Sequence, residues 1–99
     1  MTSVLHPLDA LGSPVRREIL RRLSSGPLAV HELASRFSVS RPAISRHLRV
    51  LQDAGLVEVR SAGTRSLYSV RLKGFESARA YLDDFWGIAL RRLEERSRR

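Results

Sequence analysis

The chain contains no cysteine among its 99 residues, and only one methionine, one tryptophan and one lysine. Without cysteine there is no disulfide, no thiolate metal site and no thiol redox chemistry. The three histidines, His6, His31 and His47, are scattered. Its glycines form no phosphate-cradling loop, and no set of carboxylates converges, so catalysis is not expected and no cofactor is called for. No apolar run approaches the roughly 18 residues that a membrane span requires. The opening MTSVLHPLDALG has neither a basic n-region nor a long apolar core, so it does not read as a signal peptide. The expectation is a soluble, cytoplasmic protein without a membrane partner.

Acidic residues are also few. Ten Asp and Glu face 18 Lys and Arg, a formal net charge of +8. That excess points to a polyanionic partner. Seventeen of the 18 cations are arginine, whose planar guanidinium can grip a phosphate or a guanine edge with two bonds. With 42% hydrophobic and 28% charged residues the chain is globular rather than disordered. Its length suits one small domain, here read as 1–99, and domains this small often gain stability by associating.

Residues 4–12 read as a short apolar helix that needs a partner. In GSPVRREILRRLSSGP, Ser13 is placed as an N-cap and Pro14 as the first helical residue, while Gly26-Pro27 stops the helix. Val15, Ile19, Leu20 and Leu23 form its inward stripe. AVHELASRF then has helical spacing over about two turns. Ser38-Val39 make a very short connection, and Ser40 caps SRPAISRHLRVLQDAGL. Two helices so joined, over 30–54, describe a helix-turn-helix. After Gly55 the period changes from 3.6 to 2: LVEVRS, a turn with Gly63 free to take positive φ, and RSLYSVR form a two-stranded hairpin over 56–71. A long helix over 75–96 completes the chain, with Phe75, Ala78, Leu82, Phe85, Trp86, Ala89 and Leu93 in one stripe. The fold class is mainly α with a small β-hairpin (α+β).

The second helix of the pair carries the functional signal. On a wheel at 100° per residue, Leu48 and Leu51 lie within about 40° of Ile44 and mark the buried side. Pro42, Ser45, Arg46 and Arg49 fall between about 100° and 200°, on the opposite side. Ser40 and Arg41 sit at the N-terminal end, where free N–H groups and the helix dipole favour anions. A helix with this distribution suits the DNA major groove. Residues 36–73 hold eight cations (Arg36, Arg41, Arg46, Arg49, Arg60, Arg65, Arg71, Lys73) against Asp53 and Glu58. Six of the eight net charges therefore lie in well under half the chain. A Ser45/His47 catalytic pair fails on geometry, because residues two apart on a helix point about 200° apart. His47 belongs at the flank of the buried stripe, against a neighbouring element.

From about residue 7 to 96 the chain resembles the ArsR family of bacterial winged-helix repressors. The resemblance is carried by SPVRREILRRL, LAVHELASRFSVSRPAISRHLRVLQDAGLVEVR and the wing SAGTRSLYSV. It implies a homodimer that binds a palindromic double-stranded DNA operator and represses transcription. The recognition helix would use Ser40, Arg41, Pro42, Ser45, Arg46 and Arg49, and the wing Arg60, Gly63, Thr64 and Arg65. The family's metal sensors carry a Cys-x-Cys-Asp-Leu pattern where this chain has Ala29-Val30-His31-Glu32-Leu33, without either cysteine. Their other common site uses Asp, Glu and His on the last helix, which here has no histidine beside Asp83-Asp84. No metal is expected. Ala29 also stands where the family usually has a Ser or Thr N-cap, which implies a less firmly held helix start.

The ending GFESARAYLDDFWGIALRRLEERSRR is similar to a non-metal branch of the family. Phe85 and Trp86 either complete the chain's own core or meet a symmetry mate. In the second case Val4, Leu5, Leu8 and Leu11 join Leu82, Phe85, Trp86, Ala89 and Leu93 in a dimer interface. Two further readings are open: a repressor that responds to a small molecule near Tyr81 and Trp86, and a module that grips an acidic protein. The inducer, if one exists, is unknown from the sequence.

Overall fold

The computed structural model describes residues 5–98. The elements run α1 (Pro7–Ala10), α2 (Pro14–Leu23), β1 (Leu28–Ala29), α3 (Val30–Ala34), α4 (Arg41–Asp53), β2 (Val57–Ala62), β3 (Arg65–Val70) and α5 (Glu76–Ser97), with a 3-10 turn at Leu72–Phe75 before α5. Proline occupies the first turn of α1, α2 and α4, where its missing N–H costs nothing. Ser13 Oγ accepts from the Arg16 N–H at 3.2 Å and Ser40 Oγ from the Ala43 N–H at 3.3 Å, so both serine caps hold as read.

Three expectations are corrected. The first helix is a single turn, because Pro7 fixes its start and Leu11 already serves as its C-cap; Val4 lies outside the described residues. The first helix of the pair ends at Ala34, and residues 35–40 form the connection rather than Ser38-Val39 alone. Beyond Ser35 the backbone turns through i→i−3 bonds (Arg36 to Leu33, 3.0 Å; Phe37 to Ala34, 3.2 Å), and half-buried Phe37 and Val39 pack on the core. The sheet has three antiparallel strands in the order β1-β3-β2, not two. Leu28 pairs with Tyr68 and Ala29 with Leu67. A strand of two residues shows no alternation, so nothing in the sequence announces it.

The core is apolar throughout. Ile19, Leu33, Ile44, Leu48, Leu51, Leu56 and Val57 are its largest fully buried side chains, and no described polar residue is buried with them. They join α2, α3, α4 and the start of β2 beneath the half-buried Tyr68 and Val70. Leu5 and Leu11 pack partly against this core. The far end of α5 does not. Ala78 is its one buried residue, and the helix projects far enough to stretch the chain to 64 × 33 × 22 Å.

The junction between α4 and α5 is tight. Gly55, at φ +78°, follows α4, with Gly55 N–H donating to Gln52 O (2.9 Å) and Leu56 N–H to Leu51 O (2.9 Å). This is the Schellman arrangement, with buried Leu51 and Leu56 as its apolar pair. Gly74 lies directly on that cap: a Cβ at Gly74 would stand 1.8 Å from the Gly55 carbonyl oxygen. Arg71 adds a bond from Nη1 to the same oxygen at 3.3 Å. Because the obstacle is backbone, Gly74→Ala should destabilise the fold by about 1–3 kcal/mol, lowering Tm by at least about 4 °C for a domain of this size. Thermal unfolding followed by circular dichroism checks this; an unchanged Tm would show that the junction yields freely.

Candidate nucleic-acid interface

Helix α4 is fixed by its inner side. Ile44, Leu48 and Leu51 are all 0% exposed, which commits the opposite side to solvent over the length of the helix. Ser40, Arg41, Pro42, Ser45, Arg46 and Arg49 are all exposed. Among the described residues, Arg41 and Arg46 have no carboxylate partner. Arg49 differs: its Nε donates to Asp53 Oδ1 at 3.2 Å, one turn on. With side chains 76% and 58% exposed, that pair is weak and exchangeable.

His47 turns away from Ser45, as the wheel requires, and is half-buried against α2. Its Nδ1 lies 3.4 Å from Arg16 Nη1, and Arg16 Nε donates to Ala10 O at 2.6 Å. Arginine only donates, so His47 Nδ1 is the acceptor and its proton sits on Nε2. Burial, then Arg16, then Arg46 push the His47 pKa below the ordinary imidazole value. One arginine thus ties the end of α1, α2 and the flank of α4 together.

In the hairpin, Gly63 has φ +65° at the first central position of the two-residue loop, which suits a type II′ turn. Arg60 pairs across the strands with Leu67, and Arg65 with Ala62, so the two arginines share one face as diagonal neighbours. Arg60, Gly63, Thr64 and Arg65 are exposed. Arg60 has no carboxylate partner among the described residues, whereas Arg65 forms an ion pair with Glu32 of α3. The same Glu32 Oε1 accepts from the Ala29 N–H at 2.9 Å. Half of a capping box thereby holds the helix start that Ala29 cannot cap with its own side chain. The Ala29 hydrogen bond, and then the Arg65 charge, hold the Glu32 carboxyl below its ordinary pKa. Sequence reasoning did not single out Glu32, although an acid three residues into a helix that lacks a capping side chain is a visible signal.

On α5, Leu82, Phe85, Trp86 and Leu93 are 51–64% exposed, and Ala89 is exposed beside them. The option that Phe85 and Trp86 complete the chain's own core is therefore closed. Tyr81, Ile88 and Leu90, absent from the expected stripe, are exposed as well and widen the apolar surface. Tyr81 meets Phe85 edge-on at 5.0 Å and His6 at 6.5 Å between ring centroids. Among the described residues, no group of three or more His, Cys, Asp or Glu side chains could hold a metal ion. No described helix is long and apolar enough to cross a membrane.

A helix-turn-helix family model, described as a helix-turn-helix domain, matches residues 11–60. The HTH-type transcriptional regulator Rv2034 of Mycobacterium tuberculosis is 52% identical over 82 residues, 83% of this chain and 77% of that protein. Solved structures of ArsR-family regulators share the fold. The chain belongs to the ArsR family. It is a DNA-binding transcriptional regulator with a winged helix-turn-helix fold, and not an enzyme. A crystal structure titled "Possible transcriptional regulator for arsenical resistance" superposes on this ArsR-family chain with a TM-score of 0.79 at 42% identity, covering 93% of this chain and 96% of that one. The homodimeric winged helix-turn-helix domain of Mb0332 from Mycobacterium bovis gives a TM-score of 0.63 at 30% identity, covering 77% and 74%. Other relatives extend further, the matched stretch covering 53–56% of their length.

The His47 contact has a measurable consequence. Its folded-state pKa is depressed, so the unfolded chain binds the extra proton. The contribution is complete above a pH of about 6.5 and is lost as pH falls through the folded value. Between pH 7.5 and 5 the parent's Tm should fall more steeply than that of His47→Gln. Parallel slopes in the two melting series would refute the assignment.

Proposed function

We propose that this ArsR-family chain is a homodimeric transcriptional repressor of the cytoplasm that binds a palindromic operator. The observation that carries the reading is the division of α4. Its inner line of Ile44, Leu48 and Leu51 is fully buried, while Ser40, Arg41, Pro42, Ser45, Arg46 and Arg49 all face solvent. In the proposed complex Arg46 and Arg49 meet base edges and Arg41 the adjoining phosphates, with the N-terminal end of α4 turned toward the anionic backbone. Asp53 releases Arg49 at little cost, since both side chains are solvated. Arg60, Gly63, Thr64 and Arg65 hold the flanking DNA backbone through the wing. Repression follows from occupancy of the promoter, and several relatives are named as repressors.

The dimer is built on the exposed surface of α5. Phe85 and Trp86, at 55% and 64% exposure, are too large to leave in water on so small a domain. A second copy covers them together with Leu82, Ala89 and Leu93, and Leu5, Leu8 and Leu11 border the contact. A two-fold partner places the two recognition helices about 34 Å apart, or a multiple of it, along one face of the DNA. Such a partner also occupies the apolar surface beside Trp86 where a small molecule would otherwise lie.

Two experiments test the reading. In fluorescence anisotropy against DNA from the protein's own promoter region, Arg46→Ala should weaken operator binding by about 1–3 kcal/mol and relax specificity at one position. Equal binding of operator and random duplex by the parent, Arg46→Ala and Arg49→Ala would refute it and favour a grip on an acidic protein instead. In sedimentation analysis the parent should run as a dimer and Phe85→Glu/Trp86→Glu as a folded monomer with reduced operator affinity. A monomeric parent that still binds the palindrome tightly would remove α5 from the interface.

A further inference from the structure

Arg65 and Glu32 lie 33 residues apart, yet the sheet holds them together. Ala29 pairs with Leu67, and Leu67 shares its side of β3 with Arg65, two residues away. Ala29 is also the residue on which α3 begins, with Glu32 in its first turn. The Ala29 N–H anchors the carboxylate at 2.9 Å, so the acid is fixed in place before Arg65 reaches it. Arg60, on the same face of the hairpin, has no such partner among the described residues. The wing thus carries one available guanidinium and one already engaged by a carboxylate, an anion that, like a phosphate, offers arginine paired acceptor oxygens.

We propose that Glu32 is a resident competitor for DNA phosphate at Arg65, which restrains the wing's affinity for duplex of any sequence. This rests on the DNA-binding reading above and assigns the strength of its sequence-independent part. The pair is half solvated, with side chains 50% and 37% exposed, so it opens without repacking the core. When it opens, Glu32 stays fixed by Ala29 and places a negative charge beside the approaching backbone. Attraction by phosphate contacts makes up essentially all non-specific binding. A carboxylate that engages one wing cation lowers that background while leaving the base-reading side chains of α4 untouched.

Glu32→Gln isolates the charge, because the amide oxygen can still accept the Ala29 N–H. Binding of this variant to a random-sequence duplex should tighten severalfold. The slope of log K against log salt should steepen by about 0.9, the value for one added phosphate contact. In an Arg65→Ala background the same substitution should leave the slope unchanged. Without DNA, Arg65→Ala should raise the Glu32 carboxyl pKa in a carbon-detected NMR titration, while circular dichroism confirms that each variant is folded. A Glu32→Gln variant that binds random duplex as the parent does, or more weakly, overturns the proposal, the second result making Glu32 a residue that positions Arg65. A Glu32 pKa unmoved by Arg65→Ala also overturns it, since no pair then exists. A parent without salt-dependent binding to operator or random duplex overturns the DNA reading and this proposal together. A binding parent with unresponsive variants overturns this proposal alone.

Discussion

Everything on the outer side of α4 depends on the burial of Ile44, Leu48 and Leu51 on the inner side. Each of these side chains contributes about 1.5–3 kcal/mol when removed from water, and together they set the rotation of the helix about its axis. A turn of the helix by one residue would bring Ser45 and Arg49 in one sense, or His47 in the other, into a core that holds no described polar residue. That would leave a buried donor or charge without a partner, at a cost comparable to the stability of the whole domain. The direction in which Arg41, Arg46 and Arg49 project is therefore decided by two leucines and an isoleucine that are fully buried.

The polar ties lie outside that core and do a different job. Arg16 joins the Ala10 carbonyl to His47, and Glu32 joins the Ala29 N–H to Arg65. Each ties elements that are distant in the chain, and the Glu32 carboxylate also offsets the charge of the arginine it holds. On the outer side of α4 and the wing, the cations without a carboxylate partner among the described residues are Arg41, Arg46 and Arg60, whereas Arg49 and Arg65 are paired. The distribution of partners, more than the number of arginines, shapes this surface.

Much of this was legible in the residues because the signals are local. Ser13 and Ser40 act as caps, Gly55 closes α4, Gly63 turns the hairpin, and the four-and-three spacing of Ile44, Leu48 and Leu51 marks the buried line. What escaped was non-local or too short to have a period. Strand β1 exists because two residues leaving the Gly26-Pro27 turn run beside β3, and no pattern in Leu28-Ala29 encodes that. Helix α3 reads as two turns from its apolar spacing, but Phe37 reaches the core from a chain of tight turns rather than from a longer helix. The Glu32–Arg65 pair follows from strand register across 33 residues, which neither residue reveals alone. On α5 the stripe was recognised, while Tyr81, Ile88 and Leu90 beyond its edge were not, because the helix lacks a clear polar side.

The contact of Gly74 with the Gly55 carbonyl has a geometric consequence. It joins the end of α4 to the turn that leads into α5, main chain against main chain, with the Arg71 guanidinium on the same carbonyl. At the Gly74–Gly55 contact itself backbone meets backbone, so no side chain there can be trimmed to change the angle between the two helices. In a dimer assembled through α5, that angle sets how far apart the two recognition helices stand. In such a dimer the spacing of the two α4 helices would be set in part by this backbone contact, which tolerates no added Cβ at Gly74.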